Sequence, residues 1–259
     1  MRGIAKLAAV VVTAVLAAGG TAAAKEWKTV RIGTEGAYPP FNFLDTSNQL
    51  QGFDVEIAKA LCEKMKVTCT FVAQDWDGII PALLANKYDA IIASMSITEE
   101  RKQKVDFTNK YYNTPATFVA PKDTKIADTT PAAMKGKTLG AQSATTHASY
   151  LEDKYKDSSI KLYGTQDEAN ADLVAGRLDA ILADKVVLLD WTTKTEDGKC
   201  CKFLGSEIRD VKYFGEGAGI AIRKNEPELK AMFDKAIEEI RADGTYKKIN
   251  DKYFPFDVY

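Results

Sequence analysis

Residues 82–94 read ALLANKYDAIIAS and residues 172–184 read DLVAGRLDAILAD; laid side by side without a gap, six of the 13 positions are identical. The shared residues are Leu83/Leu173, Ala85/Ala175, Asp89/Asp179, Ala90/Ala180, Ile91/Ile181 and Ala93/Ala183. Each copy has the pattern of a helix end, a short polar turn (Asn86-Lys87 or Gly176-Arg177) and an apolar run suited to a buried parallel strand. Each run stops at a small polar or acidic residue, Ser94 or Asp184. Open α/β sheets bind ligands beyond the carboxyl ends of their strands. Two such units therefore predict two similar lobes that offer strand ends to one shared cleft.

Outward from the repeat, elements alternate. Thr29–Gly33 reads as a strand. Phe53–Met65 reads as a helix, with Val55, Ala58, Leu61 and Met65 at helical spacing and Asp54 where the dipole favours an acid. Strand Thr68–Val72, helix Ile79–Ala85 and strand Ala90–Ala93 follow, an order that calls for a mostly parallel sheet flanked by helices. Thr98 is a helix N-cap with Glu99 and Glu100 behind it. Extended crossings between lobes are expected over Tyr111–Ala120 and near Val211–Gly217. Lys137–Ala141 reads as a strand, and Pro227–Asp243 as a helix stopped by Gly244. With no Gly/Ser-rich linker, two crossings imply a hinge.

Residues 1–24 read as a secretory leader: Arg2 and Lys6 precede the apolar stretch 7–18, and Ala22-Ala23-Ala24 offers a cleavage site. No cysteine stands just beyond, so a lipid anchor is not expected. No later run approaches the roughly 18 apolar residues of a membrane span. The product is expected to be a soluble exported chain of 235 of the 259 residues. The 35 Lys+Arg and 36 Asp+Glu lose Arg2 and Lys6 with the leader, leaving a formal charge of −3. Scattered cations of that balance exclude the basic stripe of a nucleic-acid binder.

Four cysteines in an exported chain suggest disulfides. A Cys62–Cys69 bridge would close a small loop between a helix end and the next strand, worth about 2.5 kcal/mol on the chain-entropy model. Cys200 and Cys201 are adjacent, and three states stay open: two thiols, a vicinal bridge, or intermolecular pairing.

Three groups carry chemistry. Ser94, Met95, Ser96 and Arg101, at one strand end and helix start, supply hydroxyls, backbone N–H groups and a guanidinium suited to a carboxylate. Thr145-Thr146, at a helix start in the other lobe, is a second anion cradle. Glu35 with Tyr38 and Trp76 suits an apolar stem ending in a cation, and Glu35 is the only acid placed at that end. His147 is the lone histidine, so a histidine metal centre or a Ser/His/Asp triad has no basis, and neither metal nor cofactor is expected. Together the groups describe an L-amino acid with a basic side chain.

The stretches VRIGTEGAYPPF (30–41), GFDVEIAKALCEKM (52–65), ASMSITEERKQKVDFTNKYY (93–112), AGRLDAILAD (175–184), KYFGEGAGIAIRK (212–224) and DGTYKKINDKYFPFDVY (243–259) closely resemble the periplasmic lysine/arginine/ornithine- and histidine-type binding proteins of ATP-binding-cassette importers, solute-binding family 3. The resemblance implies a two-lobe type II binding-protein fold: lobe 1 from 25–112 plus 213–259, lobe 2 from 116–210. It implies α-carboxylate binding by Arg101 and Thr145-Thr146, and α-ammonium binding by Asp184 with the Ser94-Met95-Ser96 stretch. It places the side chain between Tyr38 and Trp76, with its cation on Glu35, and maps the family disulfide onto Cys62–Cys69. Gln142 joins the ligand set, and with Ala93, Glu35 and His147 it departs from residues common in those relatives. The expected product is a periplasmic monomer that captures a cationic L-amino acid (arginine, ornithine, lysine or histidine) by hinge closure and delivers it to a membrane permease. The alternatives are an opine or other guanidinium conjugate as ligand, a cyclohexadienyl dehydratase-like enzyme on the same fold, and a receptor sensing domain, against which the lack of a later membrane segment argues.

Overall fold

The first strand, β1 (Thr29–Thr34), buries Val30 and Ile32 completely. The computed structural model describes residues 26–259, so the leader over 1–24 and its cleavage after Ala24 lie outside the described residues. After β1 come β2 (Ala37–Tyr38), β3 (Asn42–Leu44) and β4 (Leu50–Gln51), helix α1 (Phe53–Met65) and β5 (Thr68–Ala73). A 3-10 turn over Trp76–Gly78 leads to α2 (Ile79–Leu84), β6 (Ala90–Ile91), α3 (Glu99–Lys102) and β7 (Asp106–Tyr112). The chain then enters a second body through β8 (Ala116–Pro121), β9 (Thr138–Gln142), α4 (Thr146–Lys154), β10 (Ser159–Tyr163) and α5 (Gln166–Val174). There follow β11 (Ala180–Asp184), α6 (Lys185–Lys194), β12 (Cys201–Ile208) and α7 (Val211–Phe214). It returns to the first body with β13 (Ala218–Ile222), α8 (Pro227–Ala242) and α9 (Thr245–Tyr253).

Helix α1 spans the expected residues because its ends are set locally. Gly52 caps it at φ 116, and a Cβ there would lie 2.3 Å from the Phe41 carbonyl oxygen. Lys66 closes it in the left-handed region at φ 57. Its inner face meets α8, whose buried residues Leu229, Phe233, Ala236, Ile237 and Ile240 recur at helical spacing behind Pro227 in the first turn. Emptying the Phe233 site would cost about 3–5 kcal/mol.

The two five-stranded sheets share one plan. Lobe 1 has the order β5-β1-β6-β13-β7 and lobe 2 the order β10-β9-β11-β8-β12. In each, the first three strands are parallel and the fourth runs antiparallel to both neighbours. The antiparallel strand, β13 or β8, is the one by which the chain enters that lobe from the other. The sheets are thus mostly parallel, as expected, with one reversal that the crossings impose. Apolar side chains cover both faces, Ile220 and Ile222 pointing to one cluster and Ala221 to another.

The repeat forms part of this frame. The Asp89 amide donates to the Arg31 carbonyl (2.8 Å) while the Asp89 carboxylate accepts from the Arg31 amide (2.9 Å). Asp179 does the same with Thr138, at 2.8 Å both ways. The preceding residues cover matching glycines: a Cβ on Gly33 would lie 2.6 Å from the Tyr88 ring, and one on Gly140 would lie 2.4 Å from Leu178. The turn residues Asn86 and Gly176 both take positive φ, 59 and 70. Only in lobe 1 does a further clasp form. Buried Arg223, directly after β13, donates to the carbonyls of Leu83 and Tyr88 and pairs with Asp89 and Glu226.

Two local expectations change, and the cysteines take one of the states left open beside the bridge expected. The second repeat strand reaches Asp184 as read, but in the first copy β6 covers only Ala90 and Ile91, because Ser94 turns the chain at φ 55. Val211–Phe214 is a helical turn whose Tyr213 and Phe214 pack on Tyr150 of lobe 2, so the return crossing is confined to Gly215–Gly217. Cys200 and Cys201 form a vicinal bridge (Cα–Cα 3.7 Å), and Cys62 is bonded to Cys69.

Candidate functional site

The carboxyl ends of β1, β6, β9 and β11 converge between the lobes, and the lobes touch across that cleft. The Trp76 indole N–H donates to the Ala144 carbonyl (3.1 Å), Ser143 Oγ to Asp77 (2.7 Å), and Gln142 Nε2 to Glu35 (2.5 Å). Val186 and Val187 of α6 pack into the same cluster as Tyr38 and Phe41 of lobe 1. The cleft is closed.

Inside it lie two adjoining cavities. One is lined by Glu35, Tyr38, Trp76, Ser94, Ser96, Arg101, Gln142, Thr145 and Thr146, with Ala93 and His147. The other shares Tyr38, Ser94, Ser96 and His147 and adds Asp184 and Thr114. Ten of the eleven residues read as ligand-binding therefore meet here. The eleventh, Met95, is fully buried in the lobe 1 core with Trp76 and Ile79, and borders an outer cavity beside Arg101.

Arg101 hangs from α3, capped by Thr98, whose hydroxyl accepts the Arg101 amide (3.3 Å). Its guanidinium donates to the carbonyls of Ser96 (3.1 Å) and Ala144 (3.3 Å) and lies 5.3 Å from the Trp76 ring centre. It makes no ion pair among the described residues, and burial lowers its pKa to about 10, which leaves it charged. Thr145 caps α4: its hydroxyl accepts from the Ala148 amide (3.1 Å) and donates to the Gln142 carbonyl (2.7 Å). The Thr145 hydroxyl is thereby committed, so what this turn can offer an anion is the N-terminal backbone of a nine-residue helix beside buried Thr146.

Glu35 follows β1 and is 8% exposed. Burial pushes its pKa up to about 7, with Asp167, Asp75 and Asp77 adding to the rise and the Gln142 hydrogen bond opposing it. Glu35 is therefore not the only acid at that end. Asp75 and Asp77 flank Trp76, and Asp167 arrives from α5 of the other lobe, a juxtaposition that sequence distance concealed. Asp184 caps α6, accepting the Val186 amide (2.8 Å) and the Thr114 hydroxyl. Burial raises its pKa to about 6. His147 was left without a role by the sequence. It stands between the two cavities against Phe214, and burial beside Arg101 lowers its pKa to about 3, so it is a neutral ring. Among the described residues no group of acids, histidines or cysteines is arranged to hold a metal.

A fold of two lobes closed on such a cavity defines the class: residues 30–256 match the bacterial extracellular solute-binding proteins, family 3, and the chain belongs to that family. It is 53% identical over 234 residues to the L-arginine-binding protein of Pseudomonas aeruginosa, covering 90% of each chain. It is 42% identical over 234 residues to the lysine/arginine/ornithine-binding periplasmic protein of Escherichia coli, again covering 90% of each. Among solved structures, an ancestral arginine-binding protein bound to arginine superposes with a TM-score of 0.81 at 38% identity, covering 88% of this chain and 98% of that one.

Proposed function

We propose that this protein captures a cationic L-amino acid, with L-arginine the first choice, and hands it to the membrane permease of an ATP-binding-cassette importer. The observation that carries the reading is the charge inventory of the cavities. Arg101, Glu35 and Asp184 line them, and none makes an ion pair among the described residues. Buried charges need partners. A ligand with one carboxylate and two cationic groups supplies one partner to each: α-carboxylate to Arg101 and the α4 N-terminus, α-ammonium to Asp184 with Ser94 and Ser96, distal cation to Glu35. Tyr38 and Trp76 offer ring faces to the aliphatic stem. The 53% identity to an L-arginine-binding protein favours arginine within that class.

Closure follows from the same inventory. Lobe 1 brings Glu35, Ser94 and Arg101, lobe 2 brings Asp184 and the Thr145-Thr146 turn, and a ligand that touches both stabilises the closed form by its differential affinity. No bond is made or broken. The chain acts as a monomer in the periplasm after losing the leader. The test is a calorimetric titration of the purified mature protein with L-arginine, L-ornithine, L-lysine, citrulline and L-glutamine, alongside incubation with prephenate. Micromolar or tighter binding of a cationic member and no turnover of prephenate support the reading. Preference for glutamine overturns it.

A further inference from the structure

Behind Ser94 lies a carboxylate that lines neither cavity. Asp54, in the first turn of α1, is fully buried and accepts three hydrogen bonds: from Asn42 Nδ2 (2.9 Å), Tyr111 Oη (2.8 Å) and Ser94 Oγ (2.9 Å). Two more bonds extend the network. The Ser94 amide donates to Tyr111 Oη (3.1 Å), and the Gly36 amide donates to Asn42 Oδ1 (2.8 Å). Asp54 makes no ion pair among the described residues.

A hydroxyl carries one proton, and Ser94 gives its proton to Asp54. Toward the cavity Ser94 Oγ therefore presents lone pairs only. Ser94 also sits at φ 55, a left-handed backbone that serine keeps only where its surroundings hold it, and both its amide and its hydroxyl are tied to the Asp54–Tyr111 pair. Through Asn42 and Gly36 the same carboxylate braces the residue next to Glu35. We propose that Asp54 is a positioning residue that fixes the hydrogen-bond polarity of Ser94, making it an obligate acceptor that admits an α-ammonium and rejects an α-carbonyl. A carboxyl oxygen or carbonyl at that place would face lone pairs on Ser94 and charge on Asp184. The inference rests on the proposed amino-acid site but not on which side chain the ligand carries.

The test compares wild type, Ser94→Ala, Asp54→Asn and the double variant by calorimetry. The probes are L-arginine and its 2-oxo analogue, in which a carbonyl replaces the ammonium. Asp54→Asn should weaken L-arginine at least tenfold and narrow the preference over the oxo analogue by a similar factor. In the Ser94→Ala background it should add less than twofold, because its route to the ligand is gone. An unchanged preference, or an independent tenfold loss in the Ser94→Ala background, overturns the proposal and leaves Asp54 a structural residue. If melting shows Asp54→Asn unfolded, Ser94→Ala alone decides: its preference for ammonium over oxo must narrow at least tenfold. L-glutamine and its 2-oxo acid, run in parallel, separate the claims. A wild type that prefers L-glutamine refutes the cationic reading yet still reports the Ser94 ratio, and binding of neither amino acid overturns both.

Discussion

Lobe 1 and lobe 2 carry the same five-stranded plan, yet they treat the repeated strand differently at its two ends. At the start, Asp89 and Asp179 make the same reciprocal pair of bonds with the neighbouring strand. At the finish the copies diverge, Ser94 in one and Asp184 in the other, and both face the cavities. The identities hold the sheets together, and the differences fall where the strands meet the cavities. Two lobes of one frame can thus bring unlike groups to a single cleft.

The sharpest way to break this division is at the cleft, in lobe 1. Arg101→Ala removes the only lobe 1 cation that lines the inner cavities among the described residues, and the stranded ligand carboxylate should cost about 3 kcal/mol or more, on the order of a hundredfold in Kd. A titration with L-arginine showing less than a fivefold loss would sink its assignment, and stability without ligand should barely change.

The frame half of the comparison is tested next. Asp89 bears two guanidinium partners, Arg31 and the buried Arg223, whereas among the described residues the Asp179 carboxylate has only the Thr138 amide and a distant Lys137 (3.9 Å). Asp89→Asn should destabilise by about 2–3 kcal/mol, since it leaves Arg223 short of a charge partner in a buried site. Asp179→Asn, partly exposed, should cost under about 1 kcal/mol. Chemical denaturation of both variants reads the contrast, and equal losses would mean that the clasp contributes nothing.

Glu35→Gln keeps size and removes charge. Arginine binding should weaken at least tenfold, while citrulline should bind as before or better. The effect is moderated because Asp75, Asp77 and Asp167 still hold the region negative.

The smallest effect is with pH. Glu35 titrates near 7 and Asp54 and Asp184 near 6 in the ligand-free closed form, each raised first by burial. A cationic ligand needs them ionised, so binding expels protons and affinity should rise severalfold from pH 5.5 to pH 8. Without ligand the sign reverses: the folded form holds protons that the unfolded chain has already lost, so these groups favour folding at low pH, and that gain fades as pH rises through 6–7. Melting with and without arginine across this range should therefore diverge. Parallel curves would exclude Glu35 and Asp184 from the site and Asp54 from its support of Ser94.

Much of this was legible in the sequence where the signal is local. Helix α1 matched residue for residue because Gly52, the acids behind it and the apolar spacing are neighbours in the chain. The strand ends showed the cleft, since parallel strands must open in one direction. What escaped depends on distance or direction. The run AGIAI in β13 is apolar either way, so nothing in it announces an antiparallel strand. Asp54 looked like a dipole-favoured helix residue, and its bonds to Ser94 and Tyr111 depend on the folded sheet. Asp167 belongs to the other lobe, and its place near Glu35 depends on how the two lobes meet.

The placement of β13 also sets an order of assembly. Lobe 2 has all its strands in one unbroken stretch, so it can be completed as soon as residue 208 has emerged. Lobe 1, begun first, must wait with β6 and β7 unjoined until residues 218–222 arrive between them, and Arg223 closes on Leu83, Tyr88 and Asp89 immediately afterwards.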